Sequence, residues 1–385
     1  MSDPLIYIIA GEPSGDLLAA RLMAALKELT GGAVRFAGIG GEAMREQGID
    51  SLFPQADLAV MGFAEVVPRI PKILRRLRET LADIEARGPS LIVTVDSWGF
   101  TGRVAKALKQ QGSTIPRLHY VAPMVWAWKE TRAKALADRV DRLLCLLPNE
   151  PAYFEPHGLK AVHVGHPVLE RLGEPGDGAG FRRRHGIADM APLLCVLPGS
   201  RHSETSRLLP VFAETAHRLQ SRFPDLQIVV PSVETVADSV RRAVTDWRVP
   251  TIVVDPTEKW DAFAASDAAL AASGTVALEL SVAHVPMVIA YRMAPLTAMA
   301  VRRLIKIKYA CLINLLLNRM AVPEFMQEAC EPERLIDALL PLLRDGPERR
   351  KQLEDCAEAL GLLGVGGESP SRRAAREALS MIRNN

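Results

Sequence analysis

Short apolar runs alternate along the chain with longer stretches in which apolar residues recur at the spacing of an amphipathic helix. Turns with Gly, Pro or Ser separate the two kinds of segment, a pattern typical of a parallel α/β sheet. The runs are LIYIIAG, VRFAGIG, LIVTVD, RLHYVAP, RLLCLLP and AVHVGHP in the first half, and LLCVLPGSR, QIVVPSV, TIVVDP, AALAASGT and PMVIAY in the second. We therefore expect two sheets of roughly five or six strands each.

The segment LGEPGDGAG, residues 172–180, has the densest concentration of Gly and Pro in the chain and predicts a linker. We expect an N-terminal Rossmann-like domain over residues 1–171 and a C-terminal one over residues 181–330, with their parallel sheets facing each other across a cleft. Residues 331–385 show helical spacing, and we expect these helices to pack on either domain.

Composition excludes several classes of protein. The 47 Lys and Arg nearly balance the 45 Asp and Glu, so the net charge of +2 gives no overall field for nucleic acid. The five cysteines lie far apart with no Cys-x-x-Cys pair, which indicates a reducing compartment and disfavours a zinc site. The longest apolar region, residues 268–291, contains Glu279, His284 and Pro286 and is a poor transmembrane helix. With no secretory signal pattern at the N-terminus, we expect a cytoplasmic protein.

The familiar nucleotide and hydrolase motifs are missing from the sequence. It contains no G-x-x-x-x-G-K-[ST], no G-x-G-x-x-G after a strand, no His-Glu-x-x-His and no G-x-S-x-G. The sequence therefore lacks the motifs that usually indicate P-loop, dehydrogenase, zinc-protease or α/β-hydrolase chemistry.

The turn LPGSR, residues 197–201, follows the first predicted strand of the second half and precedes an amphipathic stretch. Backbone N–H groups at Gly199 and Ser200 would favour an anion at the start of a helix, and Arg201 can bind a phosphate through two nitrogens. An ordinary turn with Arg201 on the surface is the alternative.

A second small-residue turn, ASGTVALE, lies later in the same half. Ser273, Gly274 and Thr275 supply donors, and Glu279 lies one helical turn on, where it could accept ribose hydroxyls. The alternative interpretation is that these small residues only allow close packing at the start of a helix. Two such turns without a metal-binding cluster favour a diphosphate held without metal.

In the first half, VTVDSWGF places Asp96 at the end of a strand. Asp96 is a candidate general base, with an N-cap of the next helix as the equally weighted alternative. His119 and His166 also lie at strand ends, and for both a structural role is favoured over a catalytic one.

Residues 61–84 combine an apolar stripe with basic residues, and residues 298–317 show the same combination. The apolar positions are Met61, Phe63, Val66, Val67, Ile70, Ile73, Leu74, Leu77 and Leu81, and the basic ones are Arg69, Lys72, Arg75, Arg76 and Arg78. A core-facing helix with a solvated face is one interpretation, and a surface facing anionic lipid is the other.

AGEPSGD, AVMGFAEV, HYVAPMVWAW, LPGSR, ASGTVALE, MVIAYRM and VPEFMQE occur in order across most of the chain. Together they resemble the lipid-A-disaccharide synthase family. The resemblance implies a membrane-associated glycosyltransferase of the GT-B architecture. Such an enzyme joins UDP-2,3-diacylglucosamine to 2,3-diacylglucosamine 1-phosphate (lipid X), releases UDP and forms a β-1′,6-linked disaccharide. It needs no metal or other cofactor, and a homodimer can form by exchange of C-terminal segments.

The resemblance also implies roles for individual residues. Asp96 is the base, and Arg201 contacts the leaving group. The residues that surround the nucleotide are Ser273, Gly274, Thr275, Glu279, Asn314, Glu324 and Gln327. Where many relatives read Pro-Asp-Phe-Asn after the Asp-Ser pair, this chain has Trp-Gly-Phe-Thr, so a second acid in that loop has no counterpart.

Two further expectations concern the first half. Glu12, Ser14 and Asp16 would hydrogen-bond sugar hydroxyl and amide groups, with Gly15 allowing close backbone approach, because carboxylates suit a sugar where they would repel phosphate. The apolar stripe from Met61 to Leu77 would hold acyl chains and dock on the cytoplasmic face of the inner membrane. The basic residues that would face lipid phosphate are Arg69, Lys72, Arg75 and Arg76.

Rival interpretations are another GT-B transferase that moves a UDP-sugar to a lipid acceptor, a UDP-sugar epimerase, and a non-catalytic protein that binds lipid or nucleotide sugar. The two basic apolar segments argue against an epimerase, whose substrate is fully soluble.

Overall fold

A computed structural model describes residues 3–58, 63–123, 130–294, 298–299 and 308–383, with the backbone alone described for residues 63–69, 130 and 383. The chain divides into two compact units. The first consists of Met1–Pro167 together with Gly366–Asn385, and the second of Val168–Val365.

The first unit is built on a six-stranded parallel sheet with the strand order β2-β1-β3-β4-β5-β6. Its strands are β1 (Leu5–Ala10), β2 (Arg35–Ile39), β3 (Leu91–Val95), β4 (Arg117–Tyr120), β5 (Arg142–Cys145) and β6 (Lys160–His163). Its first five helices are α1 (Pro13–Thr30), α2 (Glu42–Glu46), α3 (Phe63–Arg87), α4 (Trp98–Gln110) and α5 (Glu130–Ala137).

Helices cover both faces of this sheet. Ile6 and Ile8 of β1 face a core shared with α1, while Tyr7 and Ile9 face a second core shared with α3 and α4. This alternation explains why the strand reads as one continuous apolar run, since both of its faces are buried.

The second unit contains another six-stranded parallel sheet, with the order β12-β11-β10-β7-β8-β9. Its strands are β7 (Leu193–Leu197), β8 (Gln227–Pro231), β9 (Thr251–Val254), β10 (Ala268–Ala272), β11 (Met287–Tyr291) and β12 (Glu324–Met326). Its helices are α6 (Gly178–Arg184), α7 (His202–Gln220), α8 (Glu234–Val244), α9 (Lys259–Ala265), α10 (Val276–Val282), α11 (Leu312–Leu317), α12 (Pro332–Leu339) and α13 (Pro347–Leu362).

The final helix, α14 (Pro370–Arg383), belongs to the first unit. Its buried alanines pack in the same core as α1, and Glu377 accepts a hydrogen bond of 2.8 Å from Arg142 of β5. The helices predicted at the C-terminus are therefore divided between the units, with α12 and α13 in the second.

The segment predicted as a linker, residues 172–180, is packed against the second unit. Asp177 caps α6, accepting from Gly180 N at 2.8 Å, and its own backbone N–H donates to Asp261 of α9 at 2.8 Å. The division between the units falls earlier, between Pro167 and Val168.

The prediction of two parallel sheets is confirmed. The eleven apolar runs correspond to β1–β11, and β12 was missed because it has only three residues, Glu324–Met326. In each sheet the strand order reverses once, between β1 and β3 and between β7 and β10, and ligands of open α/β sheets bind at such switch points. Across the described ranges, no helix is long and apolar enough to cross a membrane.

Candidate functional site

A pocket of about 390 Å³ opens at the switch point of the second sheet. It lies where β7 and β10 end, and both predicted turns contribute to it. The lining residues are Leu197, Gly199, Ser200, Arg201, Glu204, Pro231, Val233, Lys259, Ala272, Ser273, Gly274, Thr275, Val276 and Glu279. The structure thus brings together the residues predicted at the two turns.

The turn before α7 is held from below by Glu204. Ser200 N donates to Glu204 Oε2 at 3.1 Å, and a Cβ on Gly199 would lie 2.5 Å from the same oxygen. Gly199 also has a φ of 108°, which favours glycine. The turn therefore depends on glycine at this position and on the carboxylate beneath it.

Arg201 is anchored at one end only. Its Nη1 lies 3.2 Å from Glu204 Oε1, yet 63% of its side chain is exposed. A guanidinium has five N–H donors, so most of them are available to an incoming anion. Glu204 thus orients Arg201 while most of the guanidinium N–H donors remain available to a ligand.

Glu204 was not predicted as a site residue. It is 8% exposed and also accepts a hydrogen bond of 3.2 Å from Tyr291 Oη at the end of β11. Burial and the neighbouring Glu204 raise the pKa of Tyr291. The available signal was a Glu three residues after Arg201, the position at which Glu commonly binds back to the start of a helix.

The second turn carries Ser273, Gly274 and Thr275, the last two of them exposed. Glu279 follows in α10, and its Oε1 lies 2.7 Å from Lys259 Nζ in an ion pair. Lys259 was not predicted, because it belongs to another helix and no motif links the two residues.

Glu324 and Ser273 hold one backbone segment from two sides. Ser273 Oγ donates to Ala310 O at 3.0 Å, while Glu324 Oε2 accepts from Ala310 N at 3.0 Å and Cys311 N at 2.7 Å. Glu324 lies outside the pocket lining, where it fixes the chain behind the second turn.

Asn314 and Gln327 also bind the chain itself. Asn314 is fully buried, and its Oδ1 accepts from Ala321 N at 2.7 Å and Val322 N at 2.8 Å. Gln327 has a φ of 54°, and its Oε1 accepts from Met293 N at 3.4 Å. A ligand cannot reach the buried Asn314 amide in this conformation.

In the first unit, the turn after β3 has an unusual backbone. Asp96 and Ser97 have φ values of 49° and 45°, in the left-handed region that non-glycine residues avoid. Asp96 Oδ1 accepts from Ser97 N at 2.8 Å, and Thr101 Oγ1 donates to Asp96 O at 2.9 Å. Ser97, not Asp96, is the N-cap residue of α4, so the capping interpretation of Asp96 is wrong.

The AGEPSGD turn packs on this strained turn. A Cβ on Gly11 would lie 2.8 Å from Ser97 Oγ, and a Cβ on Gly15 would lie 3.4 Å from Val95 O. The two glycines thus allow close packing of this turn on β3 and on the Asp96 turn. Glu12 and Ser14 at its tip are exposed.

Asp16 differs from the expectation. It is 5% exposed, and its carboxylate accepts from the backbone N–H groups at the start of α2, Gly41 at 2.6 Å and Ala43 at 3.0 Å. Carboxylates stabilise helix N-termini in this way. The predicted sugar contact is therefore corrected, and Asp16 joins α1 to α2.

The two histidines at strand ends, His119 and His166, are buried, and burial favours their neutral form. Burial lowers the pKa of His119 to about 3 and that of His166 to about 4. His119 Nδ1 lies 2.8 Å from Thr94 Oγ1, and its ring meets Trp98 edge-on at 4.9 Å between centroids. These contacts support the structural interpretation of His119 and place it behind the Asp96 turn.

Residues 6–377 match the family model described as lipid-A-disaccharide synthetase. The chain belongs to this family. The family's members are glycosyltransferases, and the two parallel sheets are those of the GT-B fold, so the predicted family, enzyme class and fold are confirmed.

Relatives match nearly end to end. The lipid-A-disaccharide synthase of Paramagnetospirillum magneticum is 57% identical over 381 residues, covering 98% of each chain. That of Rhodospirillum centenum is 51% identical, covering 99% of this chain and 96% of its own. Among solved structures, S. aureus MnaA with UDP has a TM-score of 0.66 at 12% identity, covering 99% of this chain and 96% of that one, and this likeness concerns the fold.

In the structure, part of the predicted lipid surface on α3 is buried and part is exposed. Ile73 is 8% exposed and Leu77 packs beside it in the core of the first unit, whereas Ile70 and Leu74 are 41% and 45% exposed. Met61 lies outside the described residues. The side chains of Val66 and Arg69 also lie outside them.

The basic residues of α3 bind acids of the same unit. Arg76 Nη2 lies 2.6 Å from Asp57, Lys72 also pairs with Asp57, and Arg76 Nη1 lies 2.6 Å from Glu79. Hydrogen bonds from Lys72 and Arg76 lower the pKa of Asp57. Arg75 is 3.5 Å from Glu79. The expectation that Arg76 faces lipid phosphate is corrected, because its side chain is 16% exposed and paired.

Among the described residues, no group of three or more His, Cys, Asp or Glu side chains could hold a metal ion.

Proposed function

We propose that the protein transfers the diacylglucosaminyl group of UDP-2,3-diacylglucosamine to the 6-hydroxyl of lipid X, giving a β-1′,6-linked disaccharide 1-phosphate and UDP in lipid A biosynthesis. Membership of the family supports the reaction. The observation that carries the proposal is the pocket at the β7 and β10 ends, which combines an anion-binding turn, Arg201 and the acid Glu279.

The donor would bind in this pocket. The exposed Arg201 guanidinium and the backbone N–H groups of Gly199 and Arg201 suit the diphosphate, while the Ser200 N–H donates to Glu204. Glu279 can accept from the ribose hydroxyls, and the apolar side chains of Pro231 and Val233 on the same lining suit the face of uracil. The pocket lining thus offers a partner to each part of UDP.

Asp96 would act as the general base. It removes the proton of the acceptor 6-hydroxyl as the oxygen attacks the anomeric carbon, and UDP leaves from the opposite face, which inverts α to β. Negative charge then grows on the β-phosphate, where the Arg201 guanidinium and the N–H groups of Gly199 and Arg201 stabilise it. We propose that no metal ion takes part, because these donors supply the positive charge.

We further propose that the exposed Ile70 and Leu74 of α3 contact acyl chains at the cytoplasmic surface of the inner membrane. Exchange of α14 between two chains would form a homodimer that keeps the contacts of α14 with α1 and β5.

The test is mass spectrometry of the lipid products after the protein is mixed with UDP-2,3-diacylglucosamine, lipid X and excess chelator. A tetra-acylated disaccharide 1-phosphate with an equal amount of UDP is expected. UDP without disaccharide would indicate another acceptor, and no product would support a binding protein. A strict requirement for added Mg²⁺ would contradict metal independence alone.

A further inference from the structure

Lys259 contributes a second cation to the pocket, besides Arg201. It is the first residue of α9 and reaches across to α10, where its Nζ lies 2.7 Å from Glu279 Oε1. The Lys259 side chain is 27% exposed and that of Glu279 is 25% exposed, so the pair is partly shielded from water while it faces the cavity.

Two aromatic residues beside Lys259 restrict where its ammonium group lies. Its ammonium lies 5.8 Å from the ring centroids of both Trp260 and Phe263. A cation near aromatic faces gains a modest attraction that favours this rotamer over an extended one in solvent. The ammonium is thereby held next to the Glu279 carboxylate.

The pair leaves half of the carboxylate available. Lys259 occupies Oε1, whereas a carboxylate has about four lone-pair sites and can accept from further donors at Oε2. Two vicinal hydroxyls of a ribose are donors of the required kind. A carboxylate fixed by an ion pair loses less rotamer freedom when those hydroxyls bind, which raises affinity for the diol.

We propose that Lys259 is a positioning residue that orients Glu279 toward the ribose diol and so makes the pocket select ribonucleoside over 2′-deoxyribonucleoside diphosphates. This inference rests on the proposed binding of a nucleoside diphosphate in the same pocket. The Arg201 guanidinium and the N–H groups of Gly199 and Arg201 serve the phosphates, and the Lys259–Glu279 pair serves the sugar.

The experiment measures the dissociation constants of UDP and 2′-deoxy-UDP by calorimetry for the wild type and for Lys259→Met, Lys259→Arg and Glu279→Gln. Hydrogen bonds to charged groups are strong, so the wild type should bind UDP roughly tenfold or more tightly than 2′-deoxy-UDP. Lys259→Met and Glu279→Gln should each reduce this ratio to about twofold, and Lys259→Arg should restore most of it.

Lys351→Met is the matched control, since Lys351 pairs with Asp355 on α13 outside the pocket lining. It should leave the ratio unchanged. The double variant Lys259→Met with Glu279→Gln should lose no more selectivity than either single change.

The proposal is overturned if Lys259→Met weakens both nucleotides equally, because Lys259 would then serve the phosphates or the fold. It is also overturned if selectivity survives in Lys259→Met. Should Lys259→Met fail to fold, loss of selectivity in Lys259→Gln decides in the same way. Failure of the wild type to bind UDP would instead refute the proposed function, which the separate product assay also reports.

Discussion

Gly11 and Ser97 lie so close together that a methyl group on Gly11 would sit 2.8 Å from the Ser97 hydroxyl oxygen. This contact joins the turn after β1 to the turn after β3, and Ser97 directly follows Asp96. Both Asp96 and Ser97 have left-handed backbones that cost of order 1–3 kcal/mol each. Such a conformation persists only where neighbours enforce it, and Gly11 is one of those neighbours.

Replacing Gly11 with alanine should displace the Asp96 turn. We expect Gly11→Ala to lower kcat by roughly 10²-fold, since a shift of about 1 Å in a catalytic group can have that effect. The dissociation constant of UDP should not change, because the pocket belongs to the other unit. Steady-state kinetics and calorimetry on the same preparations measure both quantities.

Gly99→Ala is the control for this change. A Cβ on Gly99 would meet no atom within 4 Å, although Gly99 is the second residue of α4, the helix that follows the Asp96 turn. Wild-type activity in Gly11→Ala, or equal loss in both variants, would contradict the role given to the Gly11–Ser97 contact.

Serine substitutions on α3 should separate membrane contact from core packing. Ile70→Ser with Leu74→Ser should reduce sedimentation with anionic phospholipid vesicles and leave the melting temperature nearly unchanged, because both side chains are exposed. Ile73→Ser should cost about 2–4 kcal/mol of unfolding free energy, because it places a hydroxyl in the core. Vesicle binding that survives the double change would remove α3 from the membrane surface.

Removing the Glu204 carboxylate should weaken nucleotide binding through Arg201 and the turn. We expect Glu204→Ala to raise the UDP dissociation constant about tenfold, because Ser200 N and the guanidinium lose their shared acceptor. Tyr291→Phe removes only the third donor and should have a smaller effect. In an Arg201→Ala background the loss from Glu204→Ala should shrink, as expected for coupled residues. Full additivity would mean that Glu204 acts independently of Arg201.

Glu150 should make the stability depend on pH. Burial raises its pKa to about 7, against the hydrogen bonds that it accepts from Leu147 and Leu146 N. A raised carboxyl pKa means that the folded state holds the proton more tightly. The stabilisation is present below the unfolded pKa of about 4.5 and is lost as the pH rises from there through about 7, amounting to up to about 3 kcal/mol.

Glu150→Gln keeps an acceptor for both N–H groups and has no charge to bury. The variant should therefore gain stability over the wild type between pH 5 and pH 8, as measured by denaturant unfolding at both values. An unchanged difference between wild type and variant across this range would refute the raised pKa.

Local patterns in the sequence were sufficient to predict the strands and the turns at their ends. β1 and β7 are buried on both faces, so their apolar runs are unmistakable, and the turns after β7 and β10 follow directly. Arg201 and the small residues of the second turn could be predicted because they are contiguous with those strands.

Contacts between distant segments could not be read from spacing. Lys259 and Glu279 are 20 residues apart on different helices, and Asp16 meets Gly41 across 25 residues. The apolar periodicity of α3 likewise gives one stripe, whereas the division between the buried Ile73 and the exposed Leu74 depends on where the helix meets the sheet.

The proposed mechanism is best tested by the turnover of Asp96→Asn with both lipid substrates, measured together with its affinity for UDP. Asparagine can still accept from Ser97 N, so the turn should be retained while the proposed base is lost. We expect kcat to fall about 10²–10⁴-fold with an unchanged UDP dissociation constant. Wild-type turnover in Asp96→Asn would contradict the assignment of Asp96 as the base.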